Sequence, residues 1–123
     1  MKNSTRDFAI RDIGCIYCIM FGVKGWVQCE KHHLNAGDKA GGKRVGEKAT
    51  VGACQWHHVG VCAHNGMQVN CATCIEQRGP SMRHTKRDFM ECFGSGRNQL
   101  EAQDRMIAAW KKGSFDSAGD NAC

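Results

Sequence analysis

Nine cysteines and six histidines in 123 residues limit what this chain can fold into more than any other feature. An odd number of cysteines argues against a fully paired disulfide framework. The spacing argues for metal instead. Cys15-x2-Cys18 and Cys71-x2-Cys74 each put two sulfurs on one knuckle, and Cys54-x2-His57 repeats the interval with an imidazole. Two such pairs supply the four corners of a tetrahedral zinc site. Cys15, Cys18, Cys54 and His57 make one set, a structural Zn²⁺ that staples the N-terminal knuckle to a later strand. Cys62, His64, Cys71 and Cys74 carry enough ligand atoms for a second zinc, with Cys29, His84 and Cys92 as substitutes. A redox pair at Cys15 and Cys18 is the competing reading, and it needs a βαβ context that this sequence lacks.

The composition explains why metal is needed. A chain of this length suits one domain, read here as residues 1–113 followed by a flexible tail, 114–123. Five Phe, three Trp and one Tyr beside 15 Gly leave few large side chains for a core. The opening MKNSTRDFAIRDIG is charged throughout, which suits neither a signal peptide nor a membrane span. Metal-ligating thiols then imply a reducing, cytoplasmic location. Net charge is +5, and residues 1–60 hold nine Lys and Arg against five Asp and Glu. That excess, in the half with most of the Cys and His pairs, points to an anionic partner such as a DNA backbone.

Along the chain, Phe8, Ile10 and Ile13 predict a short amphipathic helix over 5–13, stopped by Gly14. Cys15 to Leu34, rich in β-branched and aromatic residues around Gly22 and Gly25, reads as extended segments and a knuckle, with His32 and His33 ending a strand. Residues 35–49 read as a glycine-rich basic loop in which Lys39, Lys43 and Arg44 reach phosphates. Val51 to Trp56 predict a strand leading into His57 and His58, and 59–80 an irregular stretch. Two helices follow, one over 81–93 with Ser81 as N-cap and Gly94 beyond it, one over 97–112 stopped by Gly113.

If His57 serves zinc, His58 is free for other work, and neighbours on a strand such as His32 and His33 face opposite ways. Phosphodiester hydrolysis requires a base for water and a divalent cation on the phosphate, and these histidines offer both.

The pattern CIYC…HHL…ACQWHH is similar to HNH endonucleases. That resemblance implies His32 and His58 as ligands of a catalytic cation, Mg²⁺ or another divalent ion, and His33 as general base. Gly-Gly-Lys-Arg-x-Gly, the TVGACQWHH segment and Gly-Pro-Ser-x4-Lys-Arg-x-Phe together resemble the phage recombination-enhancement family of RecA-dependent nucleases, over roughly residues 12–105. The resemblance implies an α+β fold, a small zinc-stabilised ββα-metal (HNH, His-Me finger) core with additional C-terminal helices. It also implies a phage or prophage DNA endonuclease in a bacterial host cell, acting with a RecA-type recombinase filament. The sequence departs from the pattern at three points. Glu47 stands before the second strand as a third-ligand or orienting residue. Gly52-Ala53 replaces the usual Pro-Leu, which implies looser packing. No asparagine fills the middle position, for which Thr50 is the other candidate. The alternative function is a zinc-stabilised DNA-binding accessory protein that does not cut.

Overall fold

The computed structural model describes residues 5–34 and 49–115. Lys39, Lys43, Arg44 and Glu47 lie outside the described residues, as does the expected tail beyond Phe115. The fold is α+β, six helices around a two-stranded sheet among the described residues.

Helix α1 (Thr5–Ile13) buries Ala9, Ile10 and Ile13. It ends at Gly14, whose N–H reaches the Ile10 carbonyl at 2.9 Å. Gly14 has φ 91°, and a Cβ there would lie 2.6 Å from the Val27 carbonyl oxygen. Both facts require glycine. Helix α2 (Ile16–Phe21) replaces the extended segment expected after Cys15. Cys15 caps it by accepting the Cys18 N–H, Gly22 closes it at φ 98°, and Ile16, Tyr17 and Ile19 are buried. Their β-branched and aromatic character therefore serves the core instead of a strand.

Strand β1 (Glu30–His33) pairs antiparallel with β2 (Thr50–Ala53), with Glu30 opposite Ala53, His32 opposite Val51 and His33 opposite Thr50. The expected strand thus ends at Ala53, and Cys54 starts helix α3 (Gln55–Val59). Within the stretch expected to be irregular, Cys71 caps helix α4 (Ala72–Arg78) by accepting the Cys74 N–H. Helix α5 (Lys86–Phe93) begins after Thr85, not Ser81. Ser81 instead closes a turn, its hydroxyl accepting the Arg83 N–H at 3.1 Å and its carbonyl the Thr85 N–H at 3.0 Å. Helix α6 (Gly96–Lys111) agrees with expectation to one residue and opens on a capping box between Ser95 and Asn98.

Two apolar groups form the interior. Ala9, Ile10, Ile13, Ile19 and Ile107 join α1, α2 and α6. Tyr17, Trp56, Phe89 and Phe93 surround the first cysteine group. Helix α6 also meets the sheet through buried glutamines. Gln103 accepts the Gly52 N–H at 2.8 Å, and Gln99 accepts the Tyr17 hydroxyl at 2.7 Å. Burial of these amides is legible only from tertiary context, because their sequence positions look like solvent-facing helix.

Gly52 corrects the expectation of loose packing. A Cβ on it would sit 2.8 Å from the Cys29 sulfur and 3.0 Å from both the Gly14 carbonyl oxygen and Ile10 Cγ2. β2 is pressed against α1 so closely that only hydrogen fits. Gly52→Ala should therefore lower stability by about 1–3 kcal/mol through overpacking. A urea midpoint equal to wild type would contradict this contact.

Candidate functional site

Cys15, Cys18, Cys54 and His57 converge in the interior, all four buried, with their ligand atoms within 4.8 Å of one another. Each pair occupies the cap and third position of a short helix, α2 or α3, which sets both side chains on the same end of the helix. The separations test a zinc site directly. Tetrahedral zinc with Zn–S near 2.3 Å and Zn–N near 2.0–2.1 Å implies S···S of about 3.8 Å and S···N of about 3.6 Å. Here Cys18 Sγ lies 3.8 Å from Cys54 Sγ, and His57 Nδ1 lies 3.5, 3.7 and 3.2 Å from the sulfurs of Cys15, Cys18 and Cys54.

The imidazole is oriented for the same purpose. His57 Nε2–H donates to the Arg78 carbonyl at 2.8 Å, which leaves the Nδ1 lone pair facing the sulfurs. Tyr17 and Phe93 hold the ring from α2 and α5, each with centroids 5.5 Å away. Protonation is frustrated in this dry cluster. Burial pushes the Cys15 thiol well above its usual range, while hydrogen bonds from Cys15 and Cys18 hold Cys54 well below it. A divalent cation removes that conflict by stabilising all three thiolates at once. The donor set and its spacing fit Zn²⁺.

The second group, Cys62, His64, Cys71 and Cys74, meets the same distance test with His64 exposed. Cys74 Sγ is 3.6 Å from Cys62 Sγ, and His64 Nδ1 is 3.5 Å from the Cys74 sulfur and 3.7 Å from that of Cys62. Backbone N–H groups of His64, Ala63 and Cys74 point at the sulfurs of Cys62, Cys74 and Cys71 at 3.3–3.4 Å. The His64 amide is the main reason that the Cys62 thiol falls to about 6. Of the substitutes considered from sequence, Cys29 instead donates to the Ile10 carbonyl at 3.4 Å and His84 bonds the Gly60 carbonyl at 2.9 Å.

A third constellation lies at the sheet surface and is more open. Glu30 and His32 alternate on one face of β1, and His58 reaches that face from α3. The His32 and His58 rings stand 4.5 Å apart between centroids. His58 Nδ1–H donates to Glu30 Oε1 at 2.6 Å, since an ionised carboxylate only accepts. Burial, reinforced by His58 and His33, lowers His32 to a pKa of about 4, so its imidazole is neutral at pH 7. Beside this group a cleft of about 450 Å³ runs toward the second cysteine group, lined by Glu30, Gln55, Cys62 and Arg78 among others.

The structure thus brings His32 to His58, and sets His33 apart. His33 is exposed on the opposite face of β1, in register with Thr50. Thr50 is buried, its hydroxyl accepting from Arg6 Nε at 3.1 Å and its carbonyl from Arg6 Nη2 at 2.6 Å. Glu30 is the residue that sequence reasoning missed. Its signal was the two-residue alternation with His32 in Glu-Lys-His-His.

The two closed groups make separable claims. Cys54→Ser should remove about half of the zinc that co-purifies and lower the melting temperature, because the site is buried and ties α2 to α3. Cys74→Ser should remove the other half. Full zinc retention in either variant, measured by atomic absorption, would refute its group as a site.

The recombination enhancement, RecA-dependent nuclease family matches the chain over residues 2–108. No curated protein and no solved structure matches it. No helix of the described residues is long and apolar enough to cross a membrane. With the match running through both cysteine groups and the paired histidines, the chain belongs to the recombination enhancement, RecA-dependent nuclease family.

Proposed function

We propose that this protein is a DNA endonuclease of HNH type, hydrolysing phosphodiester bonds with a divalent cation at His32 and His58 and with His33 as general base. The observation that carries the reading is the Glu30–His58–His32 arrangement. Two imidazoles stand together on an open face, one oriented by a carboxylate and one kept neutral by burial. Carboxylate-oriented histidine is a recurrent way to present a metal ligand. The order strand, strand, helix, with the histidines on β1 and α3, supports a ββα-metal core. The family name supports DNA as substrate and dependence on a RecA filament.

The residues divide the chemistry. When bound, Mg²⁺ or a similar ion supplies Lewis-acid stabilisation of charge on the scissile phosphate. His32 and His58 would hold that ion by two ring nitrogens and would leave room for substrate and water, unlike the closed cysteine groups. Glu30 orients His58, and Glu47 keeps the third-ligand or orienting role that the resemblance implies. His33 is solvent-accessible at the end of β1, where it can take the proton of a water attacking phosphorus. His33 and the His32–His58 pair lie on opposite faces of β1, so the reading requires a substrate that reaches both at the strand end. Arg6 secures that end by holding Thr50, the register partner of His33. On this reading Thr50 acts through the backbone, in the place where other members of the superfamily carry asparagine. Zn²⁺ in both cysteine groups is structural, and Lys39, Lys43 and Arg44 contact the DNA backbone.

Cleavage of plasmid and single-stranded DNA with Mg²⁺, with and without a recombinase filament, tests the reading. His33→Ala should slow cutting by about 10²–10⁴-fold while DNA binding persists, the usual contribution of a general base. His58→Ala should instead raise the Mg²⁺ concentration needed. Cutting by His33→Ala at the wild-type rate would sink the mechanism. Wild-type protein that binds DNA and never cuts would favour the zinc-stabilised accessory instead.

A further inference from the structure

The face of α1 turned away from the sheet carries a group of aromatic rings that the hydrolytic site does not use. Phe8 is 59% exposed and Trp26 is 60% exposed, high values for large apolar side chains. Phe8, Arg11, Asp12 and Trp110 line one shallow depression between α1 and α6. Trp110 is half-buried there, and Trp26 lies beside the depression on the loop after α2. Its indole N–H donates to the Arg11 carbonyl at 3.2 Å, while the Trp110 indole N–H donates to Asp12 Oδ2 at 2.7 Å. Both tryptophans are therefore pinned by their polar edges to adjacent residues of one helical turn. Phe8 lies three and four residues before Arg11 and Asp12, on the same side of that helix.

The charges around these rings are mostly positive. Arg11 lies among them, exposed Lys24 stands two residues before Trp26, and exposed Lys111 and Lys112 follow Trp110. Asp12 is the acidic group of the depression, and its carboxylate is held by the Trp110 N–H. Rings and cations together match the two parts of a nucleic-acid strand, its bases and its phosphates. They are what an unpaired strand needs. Bases stack on aromatic faces, while Arg and Lys meet the phosphates between them. A duplex keeps its bases stacked inside and cannot use the rings.

We infer that Phe8, Trp26 and Trp110, with Arg11 between them, form a stacking platform for unpaired nucleobases of single-stranded DNA. The inference rests on DNA being the substrate, and it narrows that substrate to one with an exposed strand. The platform holds the strand and takes no part in hydrolysis.

The test is fluorescence titration of the zinc-loaded protein with oligothymidylate, and with a duplex of matching length, without added Mg²⁺ so that cutting does not intervene. Trp56 is buried at 1% exposure, so quenching would report Trp26 and Trp110. Wild-type emission should fall on adding oligothymidylate. Phe8→Ala, followed through the same tryptophans, should weaken its binding by about five- to a hundredfold, the range for loss of one stacking ring. Trp26→Ala should do the same by anisotropy of labelled oligonucleotide, and Trp26→Phe should restore most of the affinity. Duplex binding should change little in all three. Equal loss on both DNAs, or no loss on oligothymidylate, overturns the platform. Intact oligothymidylate binding with lost association to a recombinase filament overturns it in favour of a protein surface. Cleavage is scored separately with Mg²⁺, so a failed platform beside normal cutting leaves the nuclease reading standing, and quenching without cutting does the reverse.

Discussion

The convergence of Cys15, Cys18, Cys54 and His57 in the interior is the constraint on which the rest of the molecule depends. Helices α2, α3 and α4 have six, five and seven residues. Helices that short do not persist by hydrogen bonding alone. Each begins at a cysteine of one of the two groups, so a bound ion would fix three helix starts that local propensity leaves weak. Thiolates at those starts also face the positive end of each helix. The large side chains arrange themselves around the same point, with Tyr17 touching His57, Phe89 and Phe93.

Fixing His57 also fixes its neighbour. His58 follows it on α3 and projects toward β1, where His32 and Glu30 lie. β1 is held by β2, β2 by α1 through the close approach at Gly52, and the strand end by Arg6 on Thr50. On the proposed function, the histidine pair that would hold a cation thus rests on rigid elements, not on loops. The contrast between the centres is chemical. The cysteine groups offer four protein ligands each and leave no corner for substrate. The histidine pair offers two nitrogens on an exposed face, with an outer carboxylate setting one tautomer.

Much of this was legible in the sequence because metal ligation imposes strict spacing. Both cysteine groups were readable to the residue, since Cys15-x2-Cys18, Cys54-x2-His57 and Cys71-x2-Cys74 each match one helix start. The opening helix and α6 followed from periodicity and their flanking Gly14 and Gly113. The short helices were not readable. Ile16, Tyr17 and Ile19 have strand-like propensity, and their helical state comes from the Cys15 cap and burial. Glu30 was missed because a lone acidic residue looks like solvated surface until α3 brings His58 within 2.6 Å. Thr50 was chosen for its side chain, whereas its placement depends on Arg6, 44 residues earlier in the chain.

Zinc-edge X-ray absorption on the purified protein is the most direct measurement of the metal frame. Both groups have three sulfurs and one imidazole nitrogen, so a single averaged shell describes them together. The expected spectrum fits about three sulfur neighbours near 2.3 Å and one nitrogen near 2.0–2.1 Å per zinc. A shell dominated by nitrogen and oxygen would contradict it, because the zinc would then sit outside the cysteine groups that organise the fold.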